Sequence, residues 1–486
     1  MTFFDSSTWD GRISSGGWVR GGGGSADVVE PATGNTIGSY GVGSTEDVSR
    51  AVEQGRAAQR EWMALPYPER SAVFRRAGQL IDDNADVLSD WLVREAGSGR
   101  GKAAFEASLV SGEYFGATAV VEAPYGQLLR THVPRLSMAR RLPVGVVGVI
   151  SPFNFPAILA SRSVAPALAA GNAVVLKPDP RTAVSGGLFF AEVLREAGLP
   201  EGLFHVLPGG ADLGFALVEH PDVRVISFTG STAAGRKVGE AAGRLLKRAH
   251  LELGGNNALI VLDDVDVPAA VSAGAWGSFL HQGQICMTTG RHLVHESIYD
   301  EYVERLTATA AGIPVGNPAT TEAPLGPVID AGQRDRIHDL VTRSGEAGAR
   351  ITTGGTFDGL FYRPTVIADS GMSHPAFAEE VFGPVAPVAK FSTVEEAVAL
   401  ATQSDYGLAL GILTRDVMRA LDLAERIPSG IVHINDQTVD DEPTAPFGGV
   451  GASGTGSRFG GVEANIEAFT ETQWVTMQGE IARYPF

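Results

Sequence analysis

Val144-Gly-Val-Val-Gly-Val-Ile150, followed at once by Ser151-Pro-Phe-Asn-Phe-Pro156, is the stretch on which the fold turns. An uncharged run of valine, isoleucine and glycine suits a strand buried on both faces, as in a parallel sheet. Residues 157–170 then read as a helix, 173–177 as a strand, 183–197 as a helix and 203–207 as a strand. The alternation continues with a helix at 211–219, a strand at 223–228 and a helix at 233–246. Such a pattern predicts a parallel sheet with helices on its faces. A second α/β series follows: strand 258–262, helix 267–280, strand 292–295, helix 299–310, then 383–391, 407–413 and 430–434. The pair Gly254-Gly255 marks the boundary between the two series.

Upstream, residues 11–45 hold glycine-rich turns between short alternating runs such as Ala26-Asp-Val-Val-Glu-Pro31, which reads as β-hairpin structure. Residues 46–118 are rich in Ala, Glu, Arg and Leu, and Val73, Ala77, Leu80 and Ile81 fall on one helical face. Helices are expected there.

A chain of 486 residues calls for about two or three domains. Its 44% hydrophobic and 19% charged residues suit a globular protein. The net charge of −18 disfavours nucleic acid and anionic membranes as partners. A dinucleotide is also an anion, so a site for one needs local donors. The single cysteine, Cys286, cannot form a disulfide within the chain, which fits a reducing compartment. The first ten residues have neither a basic segment nor a long apolar core, and the expected location is cytoplasmic.

Some motifs are decoys. Gly449-Val-Gly-Ala-Ser-Gly454 spells G-x-G-x-x-G, but no buried strand precedes it and no helix opens after it. Gly21–Gly24 sits in hairpin-like sequence and reads as a turn. Gly101-Lys102 looks like the end of a phosphate loop, yet Ala96 and Ala103 stand where Gly and Ser/Thr belong. His292 and His295 lie in a strand-like run without a carboxylate partner, so no metal site is expected.

Three residues carry candidate chemistry. Cys286, in His281-Gln-Gly-Gln-Ile-Cys-Met-Thr-Thr-Gly-Arg291, would by itself read as a small buried hydrophobe, but polar, glycine-containing flanks after a helix-like run also suit a loop nucleophile. Glu252 lies between two leucines at a strand end, a poor place for a merely solvated carboxylate. Asn154 follows a buried strand, where a simple turn asparagine is also common.

Taken together they resemble the aldehyde dehydrogenase superfamily over nearly the whole chain. Seven stretches occur in the family's order: Pro152-Phe-Asn-Phe-Pro156, Lys177-Pro178, Phe228-Thr-Gly-Ser231, Glu252-Leu-Gly-Gly255, Gly283-Gln-Ile-Cys286, Glu380-Val-Phe-Gly-Pro384 and Pro446-Phe-Gly-Gly449. Glu252 precedes Cys286 by 34 residues, the family's spacing. The stretches 281–287, 434–443 and 451–458 look most like the benzaldehyde and vanillin dehydrogenase branches.

The resemblance implies a fold in three parts. Residues 1–122 and 142–253 would form a variant Rossmann cofactor domain and 254–446 an α/β catalytic domain. Residues 123–141 and 447–486 would form a β oligomerisation element whose C-terminal segment adds a strand to a neighbour, in a homodimer or homotetramer. It implies Cys286 as nucleophile, Asn154 and the Cys286 amide as oxyanion donors, and Glu252 as the base that activates water. For the cofactor, NAD with NADP left open, it implies Ile150, Ser151, Pro152, Phe153, Lys177, Gly210, Gly214, Phe228, Thr229, Gly230, Ser231, Leu253, Gly254, Glu380 and Phe382. NAD-preferring members often carry a glutamate three residues after the lysine. Here Pro180 stands there, and the neighbouring Asp179 is the candidate for gripping the ribose. The substrate, an aldehyde and most simply benzaldehyde, would lie among Phe155, Leu159, Leu280, Ile285, Met287, Val439 and Phe447. Two rivals remain: an aldehyde dehydrogenase that releases its thioester to coenzyme A, typically without the glutamate at position 252, and a non-catalytic protein on the same fold.

Overall fold

The computed structural model describes residues 3–486. The valine-rich run becomes the strand Val146–Ile150, every residue of it buried, inside a seven-stranded sheet. Its five parallel strands run in the spatial order Arg248–Glu252, Val223–Thr229, Val146–Ile150, Ala173–Lys177 and Phe204–Val206. The antiparallel hairpin of Ile13–Ser14 and Trp18–Val19 closes one edge. Chain order reverses beside Val146–Ile150, and at such a switch point the crevice beyond the strand ends is where a doubly wound sheet binds ligands. The register brings those ends together: Ile150 pairs with Lys177 and with Phe228, and Thr229 with Glu252.

The second series builds a second seven-stranded sheet, in the order Arg350–Thr353, Thr365–Ala368, Val385–Phe391, Thr289–His295, Asn257–Val261, Ala409–Leu413 and Ile431–Ile434. All its neighbours are parallel except Arg350–Thr353, which is antiparallel to Thr365–Ala368. Gly254-Gly255 crosses from one sheet to the other.

Four helices, Thr45–Ala64, Tyr67–Asp83, Ala85–Ala96 and Arg100–Glu122, occupy the predicted helical region. Ser44 and Asp47 cap the first reciprocally. Trp62 on that helix is fully buried, and its indole N–H donates to Leu168 O at 3.0 Å. This clamps the helical layer to the helix Pro156–Ala169, which starts just after Asn154.

The structure corrects two helix boundaries and gives the C-terminal strand a partner in its own chain. The helix expected over 183–197 begins as a π-helical turn, Val184–Leu188, before the α-helix Phe189–Ala197. The buried Glu95 carboxylate takes the Val184 and Ser185 amides and the Ser185 hydroxyl, which holds the first turn wide. The helix expected over 267–280 stops at Phe279, because His281, Gln282 and Gly283 are left-handed. The C-terminal strand, Thr470–Met477, pairs along its length with Leu136–Pro143 of its own chain, in a three-stranded sheet with Gly126–Leu128. Only its outer edge is left to offer to a neighbour, while Phe447, Phe459 and Phe469 are buried in the main core.

Because Trp62 fills the seam between the helical layer and Pro156–Ala169, Trp62→Ala should lower stability by about 3–5 kcal/mol. The urea midpoint measures this, and a loss under about 1 kcal/mol would show that the seam collapses onto the gap.

Candidate active site

Cys286 reaches its place through a strained loop. His281 and Gln282 have φ of 49° and 56°, a conformation that costs non-glycine residues energy and persists only where the surroundings enforce it. Gln282 Nε2 donates to Gly97 O and Pro327 O, both at 2.8 Å. Gln284 Oε1 accepts from Ile329 N at 3.0 Å. At Gly283, φ is +66°, and a Cβ would lie 2.0 Å from Gly383 O, so only glycine fits. Beyond the cysteine, Asn257 Nδ2 donates to Cys286 O and Thr288 O at 2.8 Å each, and its Oδ1 accepts from Ala409 N. The Cys286 loop is thereby tied to the second sheet.

Two cavities meet at Cys286. The first, of about 450 Å³, is walled by Phe155, Leu159, Leu280, Ile285, Met287, Val439 and Phe447, together with Asn154 and Cys286. All seven side chains expected around a substrate therefore surround one space. The wall also contains Phe105, Leu109, Ile158, Asp440 and Asp441, which sequence reasoning missed. Arg162 pairs with Asp441 and with Glu113 and lies 4.5 Å over the Phe447 ring, behind the wall.

The second cavity, of about 640 Å³, also contains Asn154, Leu159 and Cys286. It is lined by Pro152, Phe153, Thr229, Gly230, Ser231, Leu253, Gly254, Glu380 and Phe382. Ser231, which lines this space, caps the helix Thr232–Arg244. Glu380 is seated on the glycine pair: its Oε1 accepts from Gly255 N at 2.9 Å, and a Cβ at Gly254 would come within 2.3 Å of Oε2. Phe382, with φ of 55°, faces the Phe153 ring edge-on at 5.9 Å. Gln333 holds Phe382 O at 2.7 Å and Arg336 holds Glu380 O at 2.9 Å. Both belong to the helix Ala331–Glu346 and line the cavity. Asp330 before an apolar-periodic run was the N-cap signal that could have revealed this helix.

Ile150, Ser151, Lys177 and Phe228 do not line this space but sit at the strand ends beside it, with Gly210 and Gly214 at the start of the helix Ala211–Glu219. Lys177 Cδ lies 3.5 Å from where a Cβ on Gly214 would be. Asp179 is already engaged. Arg181 donates to both its oxygens at 2.9 and 2.8 Å, reaches Asp330 at 2.6 Å and lies 4.2 Å over the Phe153 ring. A ribose would compete with that guanidinium for the carboxylate, so the grip expected of Asp179 is not free. The discarded Gly449–Gly454 motif has another task, since Gly449 N donates to Glu252 Oε2 at 3.3 Å. His292, discarded as a metal ligand, lies between Ser278 Oγ and Tyr302 OH.

The electrostatics suit a guarded nucleophile. Burial, with Glu380 and Glu252 nearby, pushes the Cys286 thiol up to about 12. Burial raises Glu252 well above the usual carboxylate range and Glu380 to about 7. Glu252 Oε1 is buried without a partner. A carboxyl so placed has an affinity for protons suited to accepting one. Since the protonated thiol is favoured, alkylation of Cys286 by iodoacetamide should climb about tenfold per unit from about pH 7 to about pH 9. A plateau below about pH 8 would contradict this.

The sequence profile of the Aldehyde dehydrogenase family matches residues 18–475. The chain is 63% identical over 486 residues to a vanillin dehydrogenase of an Amycolatopsis species, covering 100% of both chains. It is 49% identical over 479 residues to a Pseudomonas putida benzaldehyde dehydrogenase [NAD(+)], covering 98% of both. Among solved structures, a Staphylococcus aureus betaine aldehyde dehydrogenase in complex with NAD+ superposes with a TM-score of 0.93 at 30% identity, over 97% of this chain and 95% of that one. The chain belongs to the aldehyde dehydrogenase family.

Proposed function

We propose that this protein oxidises aromatic aldehydes, benzaldehyde and vanillin among them, to the carboxylates with NAD as oxidant. The observation that carries the reading is that Cys286 and Asn154 line both cavities at once. The first is walled by rings and a methionine that suit a flat apolar substrate. The second has the makings of a dinucleotide site: a helix N-terminus at Ser231, Lys177 at a strand end, and Glu380 and Phe382 close to the cysteine. The likeness to vanillin and benzaldehyde dehydrogenases supports the same substrate class, and the NAD(+)-named relative supports the cofactor.

The chain's residues then divide the work. The Cys286 thiol gives up its proton, for which Glu252 is the nearby base, and Sγ adds to the aldehyde carbon. The resulting oxyanion takes hydrogen bonds from the Asn154 carboxamide and the Cys286 amide. NAD, held by Ser231, Lys177, Glu380 and Phe382, supplies the acceptor for the hydride when bound. The Glu252 carboxylate, having released the thiol's proton to solvent, takes a proton from water as that water attacks the thioester, and as the C–S bond breaks Cys286 takes up that proton and leaves as the thiol. The unpartnered Glu252 Oε1 favours water over coenzyme A as the acyl acceptor.

Under this reading residues 1–122 and 142–253 carry the cofactor and 254–446 the nucleophile. The three-stranded sheet, which exposes Leu128, Leu136 and Trp474, would join a second copy in a dimer or tetramer. No helix among the described residues is long and apolar enough to cross a membrane. The lone cysteine accords with a reducing, cytoplasmic setting.

A panel of kcat/KM values for benzaldehyde, vanillin, hexanal and betaine aldehyde, each with NAD and NADP, tests the assignment. The aromatic pair should lead, with NAD. Hexanal or betaine aldehyde ahead of both would overturn the substrate class, and a clear NADP preference would overturn the cofactor. Glu252→Gln should slow the first burst of NADH far less than the steady turnover, which should nearly stop. Steady turnover in water equal to the parent's would remove Glu252 from the hydrolytic step.

A further inference from the structure

Lys102 was discarded above as part of a failed phosphate motif, yet it is fully buried in the helix Arg100–Glu122, directly behind the site. Its Nζ pairs with Glu106 one turn along the same helix and donates to Ser98 Oγ at 3.1 Å. The remaining direction is spent on the backbone: Nζ donates to Asn154 O at 2.9 Å. The same ammonium lies 4.0 Å over the face of Phe155. Glu106 completes the grip from the other side. Its Oε1 accepts from Ala157 N at 2.8 Å and Ile158 N at 3.2 Å, the first free amides of the helix Pro156–Ala169.

The pair thus holds the turn Asn154-Phe155-Pro156 at both ends. Pinning the Asn154 carbonyl sets the peptide plane between Asn154 and Phe155, and with it the direction in which both side chains leave the backbone. One of them is the oxyanion donor and the other a wall of the substrate cavity. Phe155 has no side-chain cap to offer its helix, so the amides that a capping residue would satisfy fall to Glu106. A buried ion pair is a poor device for stability alone, because apolar residues of similar volume serve as well or better. What this pair supplies instead is geometry, at a point where an ångström of misplacement is expensive.

We propose that Lys102, held by Glu106, is a positioning residue that aims the Asn154 carboxamide at the oxyanion and braces Phe155 against the substrate ring. The inference rests on the reading of Asn154 as an oxyanion donor.

A double-mutant cycle tests it, with benzaldehyde and NAD as the probes and the rate of the first NADH burst as the readout. Lys102→Met should slow the burst about 10- to 100-fold while leaving NAD affinity, measured by quenching of tryptophan fluorescence, at the parent's value. In the Asn154→Ala background the same change should cost no more than about threefold, because the donor to be aimed is gone. Equal losses in both backgrounds, or no loss in either, would overturn the proposal. Weakened NAD binding in step with the burst would reduce Lys102 to a folding role. If Lys102→Met does not yield folded protein, the uncharged pair Lys102→Met with Glu106→Gln carries the same cycle with the same expected outcomes. If Asn154→Ala alone leaves the burst rate unchanged, the donor role itself falls, which is a different failure from an additive cycle.

Discussion

Two glutamine carboxamides hold the rest of the site in place. Left to itself, the segment after Phe279 would continue its helix or relax out of the left-handed region, and Cys286 would move away from the cavity junction. Gln282 and Gln284 bond instead to backbone groups at Gly97, Pro327 and Ile329. Those bonds offset the strain of two left-handed non-glycine residues. Asn257 then ties the far side of the loop to the second sheet. The position of the thiol is therefore a property of two sheets and a helical layer together, not of its own loop.

Around this anchor burial, with nearby carboxyl groups, favours the protonated form of the resting cysteine. Glu252, Glu380 and Asp441 all raise its affinity for the proton, while Arg162 works the other way from behind Phe447. The raised proton affinity of Glu252 has the same cause, burial away from water. A carboxylate whose proton affinity burial has raised is a stronger base toward a nearby thiol than a solvated one. The arrangement withholds thiolate from solvent and leaves proton transfer to the moment when a carbonyl is at hand.

Much of the fold was legible because parallel strands buried on both faces announce themselves as apolar runs, as Val146–Ile150 and Ala173–Lys177 do. Phe155, Leu159, Leu280, Ile285, Met287, Val439 and Phe447 were grouped through resemblance, and they line one cavity beside Cys286. Lys102, Glu106, Gln333 and Arg336 were not legible. Each lies on a helix whose local pattern explains it as an ordinary charged or polar residue, and each acquires its role from a partner tens of residues away. Asp179 shows the reverse. Its place beside Lys177 suggested a free carboxylate, and the neighbouring Arg181 occupies it.

What the sequence alone determined is the order of the elements, and it offered Cys286, Glu252 and Asn154 as candidates for chemistry. Periodicity, glycine placement and residue type are local, and local physics reads them directly. Tertiary structure alone decided that two cavities meet at Cys286, that His281 and Gln282 turn left-handed, and that a buried ion pair grips the Asn154 turn. These depend on desolvation and on bonds between distant segments, energies that come into being only once the sheets have packed and water has left.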